Sequence, residues 1–538
     1  MKRSTTPSFI TEIPLVVSPT QEKILLKRLE AGRRVYNACL GEALQRAQAL
    51  RRSPAYQAAR AMPAGKAESP ERKARSKAFT QARQAVGFGE YDLHAYAKQF
   101  GHSYLGGHLD SLVVQAVASR AYHAVNDYLL GKKGRPRFKG CNQFDSVEGK
   151  TNKSGLRWKD NRVVWNIRGG RRLILEPIIP EEDDVIRHGL SSPVKYVRIV
   201  RRKLNGRNRF SVQLVGKGCP YQKPENPLGQ GVVGLDIGPQ TIAIVCQTGA
   251  SLRQFAAELE QPDAEIQALQ RQIERQRRAN NPDNYYPDRW VRAKGGKGWK
   301  RKRGQPKPGK RSWVVSNRQQ VNQKRLAELH RKQVAHRKSL HGRLVNDILR
   351  MGDRINLEKL SYQAFQKGYG RSTQFRAPGK FVKMLRRKAE SAGGVAHEFP
   401  THTTRLSQVC LCGAVKKKPL SQRWHRCACG VVMQRDLFSA FLAMCVEDEK
   451  LNAEKAREIW PAGEDCLSKE CTPRPGLESV LWAALSEIES VNGAADLPAS
   501  VGLQRQNGSP RKPEGTNAQS RAIHRPGSGV VTSGTPRL

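Results

Sequence analysis

One acid inside an apolar, glycine-flanked strand constrains this chain more than any other feature. Gly231-Val232-Val233-Gly234-Leu235-Asp236-Ile237-Gly238 is followed at once by a second apolar run, Thr241 to Val245. Short runs of this composition read as β-strands. A carboxylate buried in one is costly unless it is paired or bound to a cation, so Asp236 needs a partner. Taken alone, the stretch is explained equally well by an Asp at a strand end capping a turn toward Pro239.

Two later stretches repeat the pattern. Arg354 to Ser361 contains a short apolar strand that ends on Glu358, and Gln434 to Ala443 opens an apolar helix with Asp436. Three carboxylates gathered from a sheet and an adjoining helix are the hard oxygen donors that a two-metal phosphoryl-transfer site requires, with Mg²⁺ or Mn²⁺ as the ions. Between the last two acids, Cys410-Leu411-Cys412-Gly413 and Cys427-Ala428-Cys429-Gly430 form paired knuckles. Cys410, Cys412, Cys427 and Cys429 can close a tetrahedral Zn²⁺ site of structural type, with no position left for water. His425 stands near enough in sequence to replace one thiolate.

The order Asp236, Glu358, Asp436, with the cysteine element before the last, resembles the split RuvC nuclease of the TnpB proteins of transposons and of the related compact type V CRISPR effectors. Leu406-Ser407-Gln408-Val409-Cys410 resembles that family's entry to its zinc element, and Gly134-Arg135-Pro136-Arg137-Phe138-Lys139 resembles another of its segments. The likeness runs over roughly residues 8 to 445.

It implies a multidomain α/β protein: an RNase H-like RuvC nuclease core with an inserted zinc ribbon, and an N-terminal wedge β-barrel with an inserted helical recognition domain. The implied boundaries are 1–17 for the first barrel strand, 18–140 for the recognition helices, 141–218 for the barrel and 219–230 for a linker. Residues 231–405 carry nuclease motifs I and II, 406–431 the zinc insertion, and 432–490 motif III with C-terminal helices; beyond the likeness, 491–538 is rich in Gly, Pro, Ser, Arg and Asn with few large apolar residues and reads as a disordered tail. The implied activity is RNA-guided cleavage of DNA by Asp236, Glu358 and Asp436. Its partners would be a guide RNA and double-stranded target DNA with an adjacent motif. A compact CRISPR effector, and an RNA-guided repressor that does not cut, are the alternatives.

The chain departs from the family in two places. Each cysteine pair is one residue shorter than the usual spacing, and the auxiliary polar positions beside Asp436 are filled by Gln434 and Phe438.

Charge agrees with a polyanionic partner. Lys and Arg number 95 against 47 Asp and Glu, for a formal net charge of +48 spread along the chain, and each phosphate contact releases condensed counterions. There is no apolar run of bilayer length and no signal-peptide pattern, so a cytoplasmic, nucleoid-associated protein without membrane partners is expected. Scattered cysteines beside one ligand-like cluster favour metal over disulfides.

Strand-like runs at Arg162–Ile167, Arg172–Leu175, Tyr196–Val200 and Arg209–Val215 suggest a small antiparallel barrel, in which Trp158 and Trp165 are more simply core than base-stacking residues. Between Asp236 and Glu358 two long helices are expected, about Asp263 to Arg278 and Ser316 to Arg350. The loop joining them interleaves Trp290, Trp299 and Trp313 with Lys294, Lys297, Lys300, Arg301, Lys302, Arg303, Lys307, Lys310 and Arg311. Solvated charge is the plain reading of that loop; the tryptophans favour nucleic-acid contact. A last helix is expected at Leu477 to Ile488.

Overall fold

A computed structural model describes residues 7–65, 68–167, 169–259, 263–293, 298–309, 312–419 and 422–471. The expected helix at 477–488, the tail from 491, and Lys294, Lys297, Lys310 and Arg311 lie outside the described residues.

The first strand, β1 (Ser8–Val16), alternates buried and exposed side chains. It leads into α1 (Pro19–Arg52), which starts on a capping box: Ser18 accepts from the Gln21 amide, and the Gln21 side chain accepts from the Ser18 amide. Four shorter helices follow, α2 (Pro54–Ala61), α3 (Pro70–Ala85), α4 (Glu90–Ala97) and α5 (Ser111–Leu129). Six strands come next: β2 (Ser146–Glu148), β3 (Leu156–Lys159), β4 (Arg162–Asn166), β5 (Arg172–Pro177), β6 (Val194–Leu204) and β7 (Arg207–Lys217), with α6 (Asp184–Ser191) between β5 and β6. They join β1 in one antiparallel sheet of order β2-β6-β7-β1-β5-β4-β3.

The expected barrel is not closed. Among the described residues no ladder joins β2 to β3, and these edge strands are only 3 and 4 residues long. The apolar side of the sheet is buried instead under α1 and α5: Ile13, Val163, Leu175, Val197 and Leu214 share one cluster with Leu25, Leu29, Val113 and Val117. A helical cover removes the need for closure.

Trp165 belongs to this core. Its ring lies 4.3 Å beneath the Arg28 guanidinium carbon, and its indole N–H donates to Asp110 Oδ2 at 2.7 Å. Asp110 also caps α5, accepting from the Leu112 and Val113 amides.

The second sheet carries the predicted acids. β8 (Val232–Ile237), β9 (Thr241–Cys246) and β10 (Gly249–Gln254) form an antiparallel meander, to which β13 (Arg354–Glu358) and β14 (Val395–Phe399) add in parallel, giving the order β10-β9-β8-β13-β14. Between β10 and β13 lie α7 (Asp263–Ala279), the hairpin β11 (Arg289–Arg292) and β12 (Trp299–Lys302), and α8 (Asn317–Met351). After β13 come α9 (Tyr362–Gly368), α10 (Gly370–Arg376) and α11 (Pro378–Ala392). After β14 come α12 (Thr401–Thr404), the short pair β15 (Trp424–Arg426) and β16 (Val432–Gln434), then α13 (Arg435–Met444), the pair β17 (Val446–Glu447) and β18 (Lys450–Leu451), and α14 (Ala453–Cys471).

Strand alternation divides this sheet into two faces. Val233, Leu235, Ile237, Ile242 and Ile244 pack on Val345 and Ile348 of α8 and on Phe381 and Leu385 of α11. Ala243 and Val245, on the other face, pack with Leu437 and Phe441 of α13 and Trp460 of α14. On α8, Leu340, Val345 and Ile348 toward the C-terminal end are buried, whereas Val321 is 61% exposed.

Candidate functional site

The acid face of the second sheet is set by a close approach of strand and helix. A Cβ at Gly234 would sit 2.0 Å from the Ala440 carbonyl oxygen and 2.5 Å from the Met444 amide nitrogen, so only glycine lets β8 lie this near α13. Side chains two residues apart on a strand share a face, and Asp236 is therefore displaced by about 6.6 Å along the same face. Four residues of helix rise about 6 Å. Counting back four from Ala440 reaches Asp436, and the Asp436 charge acts on the Asp236 carboxyl.

Glu358 arrives by the same rule on the neighbouring strand. Asn356 pairs in register with Gly234, and its Nδ2 donates to the Ala443 and Val446 carbonyls at 3.1 and 3.0 Å, tying β13 to the far end of α13. Glu358, two residues on, shares the face of Asp236 and stands beside it.

The three carboxylates thus come to one face from three elements. Among the described residues they do not form a tight ligand cluster of the kind the cysteines do.

The electrostatics record the crowding. Burial pushes the Asp236 carboxyl well above the ordinary carboxylate range, and the charges of Asp436 and Glu358 push it further, with Arg435 opposing. Burial pushes Glu358 up to about 7. Asp436 is held by Arg435, whose Nε lies 3.4 Å from Oδ1, and more loosely by Arg423 at 3.9 Å. A set of desolvated, mutually repelling oxygens is the donor chemistry that a hard divalent cation relieves, so the residues fit Mg²⁺ or Mn²⁺.

The cysteine element sits directly before α13. Gly413 and Gly430 adopt φ of 85° and 94°, which lets each knuckle turn back on itself. Their amides donate to the Cys410 and Cys427 carbonyls at 2.9 and 3.1 Å. All four Sγ atoms lie within 4.8 Å of one another, with Cys410 to Cys429 at 3.5 Å and Cys412 to Cys427 at 3.6 Å. A tetrahedron with Zn–S bonds of about 2.3 Å has S···S edges of about 3.8 Å, so the shortened spacing still fits zinc.

The Cys427 thiol is lowered to about 7, first by the Cys429 backbone amide and then by the neighbouring thiols, while burial raises Cys410 to about 12. His425 does not join the sulfurs. Its ring is buried against Phe438, with centroids 4.4 Å apart, its Nδ1 faces Lys418 Nζ, and burial with the Lys418 charge pushes it down to about 4.

Gln434 and Phe438 do structural work here. The Gln434 side chain caps α13 by accepting from the Leu437 amide at 2.7 Å, and Phe438 is 1% exposed.

Sequence reasoning passed over Gly234, Asn356, Arg423 and Arg435. A signal for the first two was present: each stands two residues before an acid, on the face that acid must share.

Residues 379–442 match the family described as "Cas12f1-like, TNB domain". No curated protein matches the chain. Among solved structures, one described as "Cryo-EM structure of the Cas12f1-sgRNA-target DNA complex" is similar at 11% identity and a TM-score of 0.36, covering 81% of this chain and 98% of that one. Another, described as "Cryo-EM structure of CRISPR-Cas12f Ternary Complex", has 11% identity and a TM-score of 0.23 with the same coverage. No described helix is long and apolar enough to cross a membrane. The matched stretch runs from α11 through the four cysteines to Asp436 and beyond, so the segment whose motifs resemble the TnpB and compact type V effectors is the one similar to the Cas12f1-like model.

Proposed function

We propose that this chain is an RNA-guided DNA endonuclease of the TnpB and compact type V kind, borne by a transposon and built on an RNase H-like RuvC core. The observation that carries the reading is the convergence of Asp236, Glu358 and Asp436 on one face, Asp436 lying inside the stretch similar to the Cas12f1-like model. Asp236, Glu358 and Asp436 would hold two Mg²⁺ or Mn²⁺ ions. When bound, such ions activate water and stabilise the leaving oxygen of a phosphodiester. Asp236 and Glu358 supply oxygens whose desolvation raises their affinity for cations over bulk water. Arg435 and Arg423 orient the Asp436 carboxylate and place positive charge where a phosphate would enter. Cys410, Cys412, Cys427 and Cys429 would hold Zn²⁺ in a closed structural site that fixes the start of α13 and so the position of Asp436.

The partners are those the resemblance implies, a guide RNA and double-stranded DNA that carries a short motif beside the paired sequence, and the formal charge of +48 suits such polyanions. In such effectors base pairing reads sequence, and protein reads backbone and shape. The deciding experiment expresses the protein with its native flanking sequence, recovers the bound RNA, and adds guide-matched plasmids with a randomised flank and Mg²⁺. Cleavage that depends on both guide match and Asp236 supports the reading, and absence of bound RNA defeats it. Guide-dependent binding without cleavage assigns a repressor, the second reading, which the burial of Phe438 and the capping role of Gln434 favour because neither side chain is left to act beside Asp436.

A further inference from the structure

The loop between α7 and α8 holds two kinds of aromatic residue. At its base Tyr285 is buried and meets Trp313 edge-on at 5.8 Å. The Arg277 guanidinium lies 3.8 Å from the Trp313 ring centre, and that of Arg278 lies 4.3 Å from Tyr285. The base is stitched by hydrogen bonds. Asn281 exchanges two with the Val314 backbone at 2.7 and 2.9 Å, and Arg278 donates to the Gly304 carbonyl at 2.9 Å. Asp288 accepts from the Gly304 amide and from Arg301, both at 2.8 Å. Gly304 lies where a Cβ would come within 1.7 Å of the Tyr286 carbonyl oxygen, so two chain segments are pressed together there. This is a built pedestal.

What the pedestal presents is different. In the β11–β12 ladder Trp290 pairs with Arg301 and Arg292 with Trp299, which places all four side chains on one face. Trp290 is 66% exposed and Trp299 64%, with Arg292 5.9 Å from the Trp299 ring centre. Arg289, Lys300, Lys302 and Arg303 are also exposed, and Asp288, already tied to Arg301, is the acid at the hairpin's start. Two large aromatic faces held in water on a paired ribbon forgo the burial that such side chains usually gain. Their cationic surround excludes a simple apolar partner. Flat π-faces joined by an anionic backbone complement it, and those faces are open only where the strand is unpaired.

We propose that the Trp290–Trp299 face is a stacking platform for single-stranded DNA. Resting on the RNA-guided function proposed above, the strand is the one displaced when the guide pairs with its target, since every base pair formed leaves one DNA base without a partner.

The test uses the full chain with its co-purified RNA. One arm measures binding of a labelled oligothymidine, which needs no guide; the second follows 2-aminopurine placed in the displaced strand of a matched target. W290A/W299A weakens oligothymidine binding by about tenfold or more for each tryptophan, and abolishes stacking-dependent quenching of the 2-aminopurine. W290F/W299F retains most of both signals, and thermal midpoints stay unchanged because neither ring is buried. Unchanged oligothymidine affinity in W290A/W299A overturns the platform. A loss seen only with single-stranded RNA overturns its assignment to DNA. Failure of guide-dependent target binding in the wild type would defeat the proposed function, while the oligothymidine arm would still decide the platform.

Discussion

Gly234→Ala places one methyl group into the tightest contact at the candidate active site. The new Cβ would stand 2.0 Å from the Ala440 oxygen, where side-chain carbons do not come within 3.0 Å, so α13 and β8 must separate by roughly 1 Å or more. Backbone lies on both sides, and no side-chain rotation relieves the clash. Overpacking of this kind costs about 1–3 kcal/mol. The same shift stretches the Asn356 hydrogen bonds to Ala443 and Val446, worth about 1 kcal/mol each. A total near 3 kcal/mol lowers the thermal midpoint by about 3 °C for the compact unit Met1–Thr472, whose unfolding entropy is about 1 kcal/mol/K. The catalytic effect should exceed the stability effect, because Asp236 and Asp436 sit on the two elements being parted, and a misplacement of about 1 Å costs roughly 100-fold in rate. Gly249→Ala is the control, since a Cβ there meets nothing within 4 Å. The assay is guide-dependent plasmid cleavage at a temperature well below both midpoints, beside thermal unfolding. If Gly234→Ala cuts and melts like Gly249→Ala, the strand–helix approach does not set the acid geometry.

Three further outcomes are expected. Asp236→Ala abolishes cleavage while guide-dependent target binding in a gel-shift assay is retained; a variant that still cuts removes Asp236 from the site. Cys412→Ser lowers bound zinc, measured by atomic emission, and reduces cleavage with it, because His425, packed on Phe438, links the cysteine element to α13; zinc content equal to wild type rejects four-cysteine ligation. His341 is buried between Phe255 and Phe381, with ring centres 5.7 and 5.6 Å away, and burial pushes it down to about 4. Its unfolded-state value near 6.5 means that the unfolded chain takes up a proton before the folded chain does. Stability is therefore lost as pH falls from about 6.5 toward 4, by up to about 3 kcal/mol. His341→Phe should abolish that share, so its denaturation midpoint in urea exceeds wild type by a margin that widens with acidity. A margin independent of pH would show that His341 is not the titrating group.

The parts legible in the sequence were those whose physics is local. β8, β13 and β14 are apolar runs bounded by glycine, acid or proline, and the sheet spans Val232–Ile237, Arg354–Glu358 and Val395–Phe399 much as that pattern requires. The four cysteines announce themselves because thiolate spacing is itself the signal. What failed depended on neighbours far along the chain. The strands from 146 to 217 alternate as barrel strands do, but whether a sheet closes depends on what covers its face, and α1 with α5 supplies that cover from another part of the sequence. Val321 is apolar like Ile348 on the same helix, yet Ile348 is buried under the sheet while Val321 is 61% exposed. The hairpin at 289–302 is too rich in charge to read as paired strands, and its pedestal rests on Asn281, Asp288 and Gly304, whose contacts run across the loop.

The acids show the same division at closer range. Asp236 and Glu358 stand out as polar residues in apolar strands, whereas their separation from Asp436 is governed by Gly234 and Asn356, each two residues earlier on the same face. Gly234 permits the helix to approach, and Asn356 grips its far end through Ala443 and Val446. A search for such a site in other strands of this kind should therefore ask for more than a lone carboxylate. It should ask for a small residue two positions before one acid and a hydrogen-bonding residue two positions before the next, since the first sets how near the helix lies and the second sets how far along it the acids reach.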